Sequence, residues 1–267
     1  VNGIGGMIGY TNAKSTDLQS VGSTVQANAP TVGGQNFLTP SFTDNDLRHR
    51  FVGYVNYRIN YGGKFGGSTE ITLGATSASG SKLSYIYGND LNGDGQINDL
   101  IYVPQNATEL TFATLTAGGK TFTPEQQQVA LDALISGDEY LNSRRGTYAQ
   151  RNGGFFPWLS RVDLSAVQEV YVNVNGKLNR LQFRADILNF GNMLNNAWGV
   201  GYSTTSGSFG TASPLTVASV SATGVPTYRM ATRVVDGSTQ LLDKTFVKTI
   251  SVGNAWQAQL GLRYFFN

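Results

Sequence analysis

The chain has 267 residues, 13 % of them charged, with a net charge of +2 and no cysteine. So small a charge, with no Lys/Arg cluster interleaved with aromatics, argues against nucleic acid as a partner; the missing cysteine removes disulfides, thiolate catalysis and cysteine-ligated metals together. No apolar run reaches about 18 residues, so no transmembrane helix is expected, although a membrane barrel escapes that test because its strands alternate apolar with polar residues.

Residues 4–13 read as a weak first strand, and 14–46, rich in Ser, Thr, Asn, Gly and Pro, as a long polar loop. A clear strand follows at 50–61, with Phe51, Val55, Tyr57, Ile59 and Tyr61 opposite Arg50, Asn56, Arg58 and Asn60. The tight turn Gly62-Gly63-Lys64 leads to a third strand at 65–77, where Thr69, Ile71, Leu73 and Ala75 alternate with Ser68, Glu70, Thr72 and Thr76. Residues 78–157 form an excursion too long for a plain loop. It holds a strand extension, Leu83 to Tyr87, and one short helix. Thr123 is that helix's candidate N-cap, Pro124 suits its first position, and Gln126 completes a capping box. Ala130, Leu131, Leu134 and Ile135 give the helix an apolar stripe, and Gly137 is placed to end it.

Strand character returns at 160–174, with Gln168 interrupting its apolar face. Asn175-Gly176 signals a hairpin turn, and the partner strand runs from 178 to 190. Residues 191–225 read as another polar loop. Two weaker strands, 227–235 and 241–250, flank the turn Asp236-Gly237-Ser238. The closing strand, Ala255 to Phe266, places Trp256, Ala258, Leu260, Leu262, Tyr264 and Phe266 on one face and Gln257, Gln259, Gly261 and Arg263 on the other. The count is about eight strands.

Short turns at 62–64, 175–177 and 236–238 alternate with long connections at 14–46, 78–157 and 191–225. Outer-membrane barrels have short periplasmic turns and long extracellular loops, which puts Phe266 at the periplasmic end. The terminal Gln259, Gly261, Tyr264 and Phe266 resemble the C-terminal assembly signal of such barrels. Phe155, Phe156 and Trp158 stand where a strand re-enters the membrane from outside, and Tyr61, Phe65, Tyr264 and Phe266 near the opposite edge, as interfacial girdles would. The reading is an all-β, antiparallel transmembrane barrel wall. Leu260, Leu262 and Tyr264 are expected to face lipid, and Gln259 and Arg263 the lumen.

The strongest local motif is Asp90-Leu91-Asn92-Gly93-Asp94-Gly95-Gln96-Ile97-Asn98-Asp99. Oxygen side chains at alternate positions, followed by a glycine, open a calcium loop in which the Gln96 carbonyl reaches the ion. No Glu stands at the closing position, where Ile101 sits, and Asp99 is the nearest substitute. The candidate ligands of a structural Ca²⁺ are Asp90, Asn92, Asp94, Gln96 and Asp99; the other reading is an Asn/Gly turn without an ion. Arg50, Arg58, Glu70, Arg161, Asp163, Glu169, Arg180, Arg184, Asp186 and Arg263 are expected to point inward, more as a salt-bridged wall than as a solute site. Arg144, Arg145 and Arg151 read as loop-stabilising more than as an anion grip, and Asp138-Glu139 as a solvated pair. His49, the single histidine, lies between two arginines with no serine nucleophile placed near it, so no catalytic site is expected.

Taken in order, Asp46-Leu47-Arg48-His49-Arg50-Phe51, Asn92-Gly93-Asp94-Gly95, Asn98-Asp99-Leu100-Ile101-Tyr102-Val103-Pro104, Arg145-Gly146, Arg151-Asn152-Gly153 and Asp186-Ile187-Leu188-Asn189-Phe190, with the terminal Gly261 to Phe266, resemble the C-terminal part of Oar-like TonB-dependent outer-membrane transporters. The resemblance implies a barrel of about 22 strands, of which this chain would be the last third, together with an N-terminal plug. Neither a plug nor a TonB-engaging motif is read in these residues. Implied partners are outer-membrane lipid, the remaining strands and plug of the same protein, TonB and the barrel-assembly machinery. Two rival readings stay open: an independent eight-stranded barrel with a structural or adhesion role, and a soluble calcium-binding β-domain. Under the transporter reading, residues 4–13 should not pair with 255–266.

Overall fold

The structure is a computed structural model describing residues 2–20, 29–62, 65–208 and 210–266; of Phe65 only the backbone is described. Residues 63 and 64 of the expected turn therefore lie outside the described residues. The first strands are β1 (Gly3–Asn12), β2 (His49–Tyr61) and β3 (Phe65–Ala78). Next come β4 (Lys82–Tyr87), β5 (Thr111–Phe112), helix α1 (Pro124–Gly137), helix α2 (Glu139–Ser143) and β6 (Gly154–Phe155). The chain continues through β7 (Leu159–Val174), β8 (Lys177–Leu188) and helix α3 (Phe190–Leu194). It ends with β9 (Thr211–Val220), β10 (Pro226–Met230) and β11 (Gln257–Phe265).

Six long strands form one antiparallel sheet in the order β1-β2-β3-β7-β8-β11. We call it the wall. Its strands run from 9 to 16 residues, and crossing a bilayer takes about 9–11. β2 meets β3, and β7 meets β8, through short turns at one end; the latter turn uses Asn175 and Gly176, both at positive φ. All three long connections leave from the other end. β1 and β11 are the outermost strands, each paired on one side, so the described sheet is open.

The wall has six strands where the sequence suggested about eight. The segments expected at 227–235 and 241–250 do not cross with it. They supply β10 and a small hairpin, Thr232–Val235 with Ser238–Leu241, turning at Asp236 and Gly237 (φ 50° and 75°). At four or five residues each, these strands are about half the length a crossing needs. The third long connection therefore runs from Leu188 to Gln257 rather than over 191–225, and the turn at 236–238 belongs with the long connections.

The long connections build a second unit, the cap. Its mixed sheet has the order β6-β4-β9-β10-β5, with β4 parallel to β9 and β10 parallel to β5. The expected helix is present with its capping box: Gln126 N–H donates to Thr123 Oγ1 (3.3 Å), and Thr123 N–H to Gln126 Oε1 (2.9 Å). Its stripe of Leu131, Leu134 and Ile135 is buried among Leu83, Tyr85, Tyr87, Leu215 and Met230. Gln127, fully buried in the same helix, donates to the Ala113 carbonyl and accepts from Met230 N–H, tying the helix to the sheet. The whole hydrophobic core cluster lies in the cap.

Candidate functional site

Cross-strand partners share a face of a sheet, so the wall's registers sort its side chains into two sets. One face carries Val55, Leu73, Leu164 and Ile187 along a single line that ends on Gly6 and Ala258 at the two edges, with Ile8 and Leu260 two residues off it, and is flanked by Tyr57, Ile71, Ala166, Ala185, Phe183 and Leu262. Its one charged side chain among the described residues is Lys177, beside a turn. Leu260 and Leu262, with Tyr264, lie on this face; Gln259 and Arg263 lie on the other. Gln168 does interrupt the apolar face, near the middle of β7, but its amide is fully bonded. It accepts from Thr69 Oγ1 (2.7 Å) and donates to Tyr61 Oη and to the Ser68 and Glu169 carbonyls.

All ten charges expected on one face are there. Three ion pairs link them: Arg58–Glu70 (3.4 Å), Arg180–Glu169 (3.9 Å) and Arg184–Asp186 (2.7 Å). At the long-connection end the polar face anchors the cap instead. Asp163 accepts from Asn189 N–H (2.7 Å), and Arg161 donates to Asn254 Oδ1 (2.8 Å) and to the Gly199 and Gly253 carbonyls. These residues act as a braced wall and a fastening.

Two of the motifs read in the sequence meet in a buried clasp. Asp46, its side chain fully buried, accepts from Ser15 N–H (2.9 Å) and Arg48 (3.1 Å) and pairs with Lys82 (2.7 Å). The Lys82 ammonium lies 3.6 Å from the Phe155 ring centroid and 4.3 Å from that of Phe42, within cation–π range. Burial pulls the Asp46 carboxyl up, but Lys82, the Ser15 amide and Arg48 outweigh it and hold the group below the usual carboxylate range. Burial pushes Lys82 down, with Asp46 offsetting part of that. Beside them Arg151, also buried, binds Asp17 and Ser20, and Asn152 donates to the Phe42 carbonyl and to Asp44. The first long connection is thus fixed to β4 and to the segment before β6. Arg144 and Arg145 are likewise spent on the Tyr148 carbonyl and on Asp132, Ser136 and Asn142.

Phe155 and Phe156 do not join an aromatic girdle, as the sequence suggested. Phe155 closes the clasp and Phe156 packs on Phe246 of the cap. Trp158 does lie on the apolar face, stacked on His49 (5.9 Å between centroids), which stacks in turn on Tyr10 (6.1 Å). Asp138 is bonded rather than solvated: it accepts from Tyr85, Thr245 and Leu141 N–H.

The Asp90–Asp99 segment is wound through Gly93 and Gly95, whose φ values of 78° and 83° suit glycine. Asp90 accepts from both glycine N–H groups, Asn92 Oδ1 from Asp94 N–H, and Asp94 Oδ1 from Gln96 N–H. Asn92 Nδ2 bridges Asp94 (3.3 Å) and Asp99 (2.8 Å). The Gly95 and Gly93 amides hold Asp90 below the usual carboxylate range, whereas burial, with Asp94 and Asp90 nearby, raises Asp99. Turn glycines and inward oxygens suit a hard cation. Against that, the oxygens already accept from the loop's own donors. Among the described residues no three His, Cys, Asp or Glu side chains converge as metal ligands do.

The described chain is thus an all-β protein with an open antiparallel sheet and a cap built from its long connections. No family model, curated protein or solved structure matches it.

Proposed function

We propose that this chain is part of the wall of an outer-membrane β-barrel, in an energy-coupled, TonB-dependent transporter for a solute, with the cap on the extracellular side. The observation that carries the barrel reading is the apolar face, whose one charge among the described residues, Lys177, sits at a turn. It crosses six strands of spanning length, opposite a face holding ten charges, and leaves Leu260 and Ile8 84 % exposed. A sheet in water buries such a face against a second layer; a barrel wall presents it to lipid. The open edges at β1 and β11 suit a wall that continues, since unpaired backbone groups in lipid cost several kcal/mol each. Coupling to TonB, a plug and the assembly machinery as partners rest on the sequence resemblance.

The test is heat-modifiable migration of the full-length protein extracted from outer membranes. A folded band that shifts on boiling is expected; a species soluble without detergent, with no shift, overturns the reading. The rival small barrel requires β1 to pair with β11. Because the chain has no cysteine, cysteine pairs placed along these strands report directly: ready disulfide formation selects the small barrel, and none selects the longer wall.

We also propose that the Asp90–Asp99 loop takes a structural Ca²⁺, which would relieve the crowding of Asp94, Asp90 and buried Asp99. Millimolar calcium should then protect the 138–151 segment from proteolysis, and Asp94→Ala should abolish that protection while the wall stays folded. Equal cleavage with and without calcium would leave an ion-free turn.

A further inference from the structure

We infer that the cleft between the cap and the outer end of the wall seats the saccharide headgroup of an outer-leaflet glycolipid. This rests on the barrel reading above. His49, Ser79 and Trp158 are lateral neighbours at the ends of three adjacent strands, Ser79 just after β3 and Trp158 just before β7, on the apolar side and at the end from which the long connections leave. Directly above them opens a cleft of about 770 Å³, whose cap side includes Glu139, Tyr140 and Lys244. Below them the face continues through Tyr10 and Phe51 to Val55, Leu73 and Leu164 without a charge. A lipid lying on that face brings its acyl chains against the aliphatic residues and its headgroup to the cleft.

The lining selects the kind of headgroup. A sugar ring offers a C–H face for an aromatic ring and a rim of hydroxyls for polar side chains. Trp158 is 48 % exposed here. His49 Nδ1 accepts from Tyr10 Oη (2.8 Å) and from the Asn12 amide (3.1 Å), so with this assignment the ring proton sits on Nε2 and is left to donate. Of the charges around the cleft, Arg48 is held by Asp46, Asp138 by Tyr85 and Thr245, and Asp243 by Arg233. Glu139 and Lys244 have no ion-pair partner among the described residues, and their charges cancel. A hydroxyl-rich headgroup therefore fits better than a bare phosphate or an amine.

The experiment uses full-length protein extracted from outer membranes in mild detergent, with bound lipid measured by mass spectrometry and folding by heat-modifiable migration. Wild type is expected to retain glycolipid. Trp158→Ala, and separately the cap-side pair Glu139→Gln with Lys244→Ala, should each lower retention about tenfold, roughly the loss of one good contact, with migration unchanged. Folded wild type carrying no glycolipid, or only glycerophospholipid, overturns the inference and leaves the barrel reading standing. So do variants that fold and retain wild-type levels. Absence of heat-modifiable migration in wild type would instead sink the barrel reading.

Discussion

Two strands of the same molecule behave oppositely. In β4 all six residues are buried, and in β11 all nine are exposed. Both carry bulky apolar side chains at alternate positions. In β4, Leu83, Tyr85 and Tyr87 are enclosed by α1 and β9, and the other face by clasp and loop residues. In β11, Leu260, Leu262 and Tyr264 touch only wall neighbours, such as Asn179, to which the Tyr264 hydroxyl donates, and no second layer of the described chain covers them. The cap therefore carries its own core, whereas the wall's apolar face is left bare by the described residues. A hydrophobic face that its own chain leaves bare is the physical mark of a binding surface or a lipid surface.

The sharpest way to break that contrast is at the clasp. Asp46→Ala should strand the buried Lys82 ammonium and cost about 3–5 kcal/mol of cap stability, while Asp46→Leu with Lys82→Met should recover most of it. Hydrogen exchange in the described parts of 13–48 measures both. Asp46 also sets a pH dependence. Its carboxyl titrates lower in the folded protein than in the unfolded chain, so its contribution is complete above the ordinary carboxylate range and lost as pH falls through the depressed value. Exchange of that connection should stay slow through mild acid and rise only below it; opening at neutral pH would contradict the assignment.

Next in size, Leu131→Ala should remove about 2–5 kcal/mol from the cap by leaving a cavity in a packed core. The matching truncation of exposed Leu262 should leave stability in detergent nearly unchanged, and denaturant titration compares the two. An arginine at Leu73, at the centre of the apolar face, is expected to cost about 2–4 kcal/mol in a bilayer. Thr72→Arg, one residue away on the charged face, should cost little. Equal costs would show that the faces are not lipid and lumen. The smallest loss expected within the cap is Thr123→Ala, about 1 kcal/mol from loss of the helix N-cap, visible as faster exchange at the start of α1.

The wall was legible because a two-residue period survives without tertiary information: Phe51 to Tyr61 and Trp256 to Tyr264 assign their own faces, and Asn175-Gly176 marks its own hairpin. The same legibility misled at 227–250. Short cap strands alternate as wall strands do, and only their length and pairing tell them apart. The cap sheet was beyond reach, because two-residue strands such as Thr111–Phe112 carry no period and are recruited by distant parallel pairing. The clasp was hidden for a related reason. Asp46 and Lys82 are unremarkable apart, and no local signal foretells that 36 positions later a lysine will lie between two rings against that carboxylate. Of the candidate calcium loop, the turn and its glycines were visible; which donors the oxygens would accept from was not.

The parallel pairing of β4 with β9 also bears on the order in which the parts of the chain can fold. Ser84 hydrogen-bonds into a strand whose partner residue, Thr211, emerges well over a hundred residues later. Until then β4 has only the short β6 beside it and an unsatisfied edge on its other side. Loop closure over that span is slow compared with the hairpin β7–β8, which closes across two residues. Wall hairpins can therefore form while the cap is still unfinished. The cap is consequently the part of the molecule most in need of protection from aggregation while it waits for its last strands.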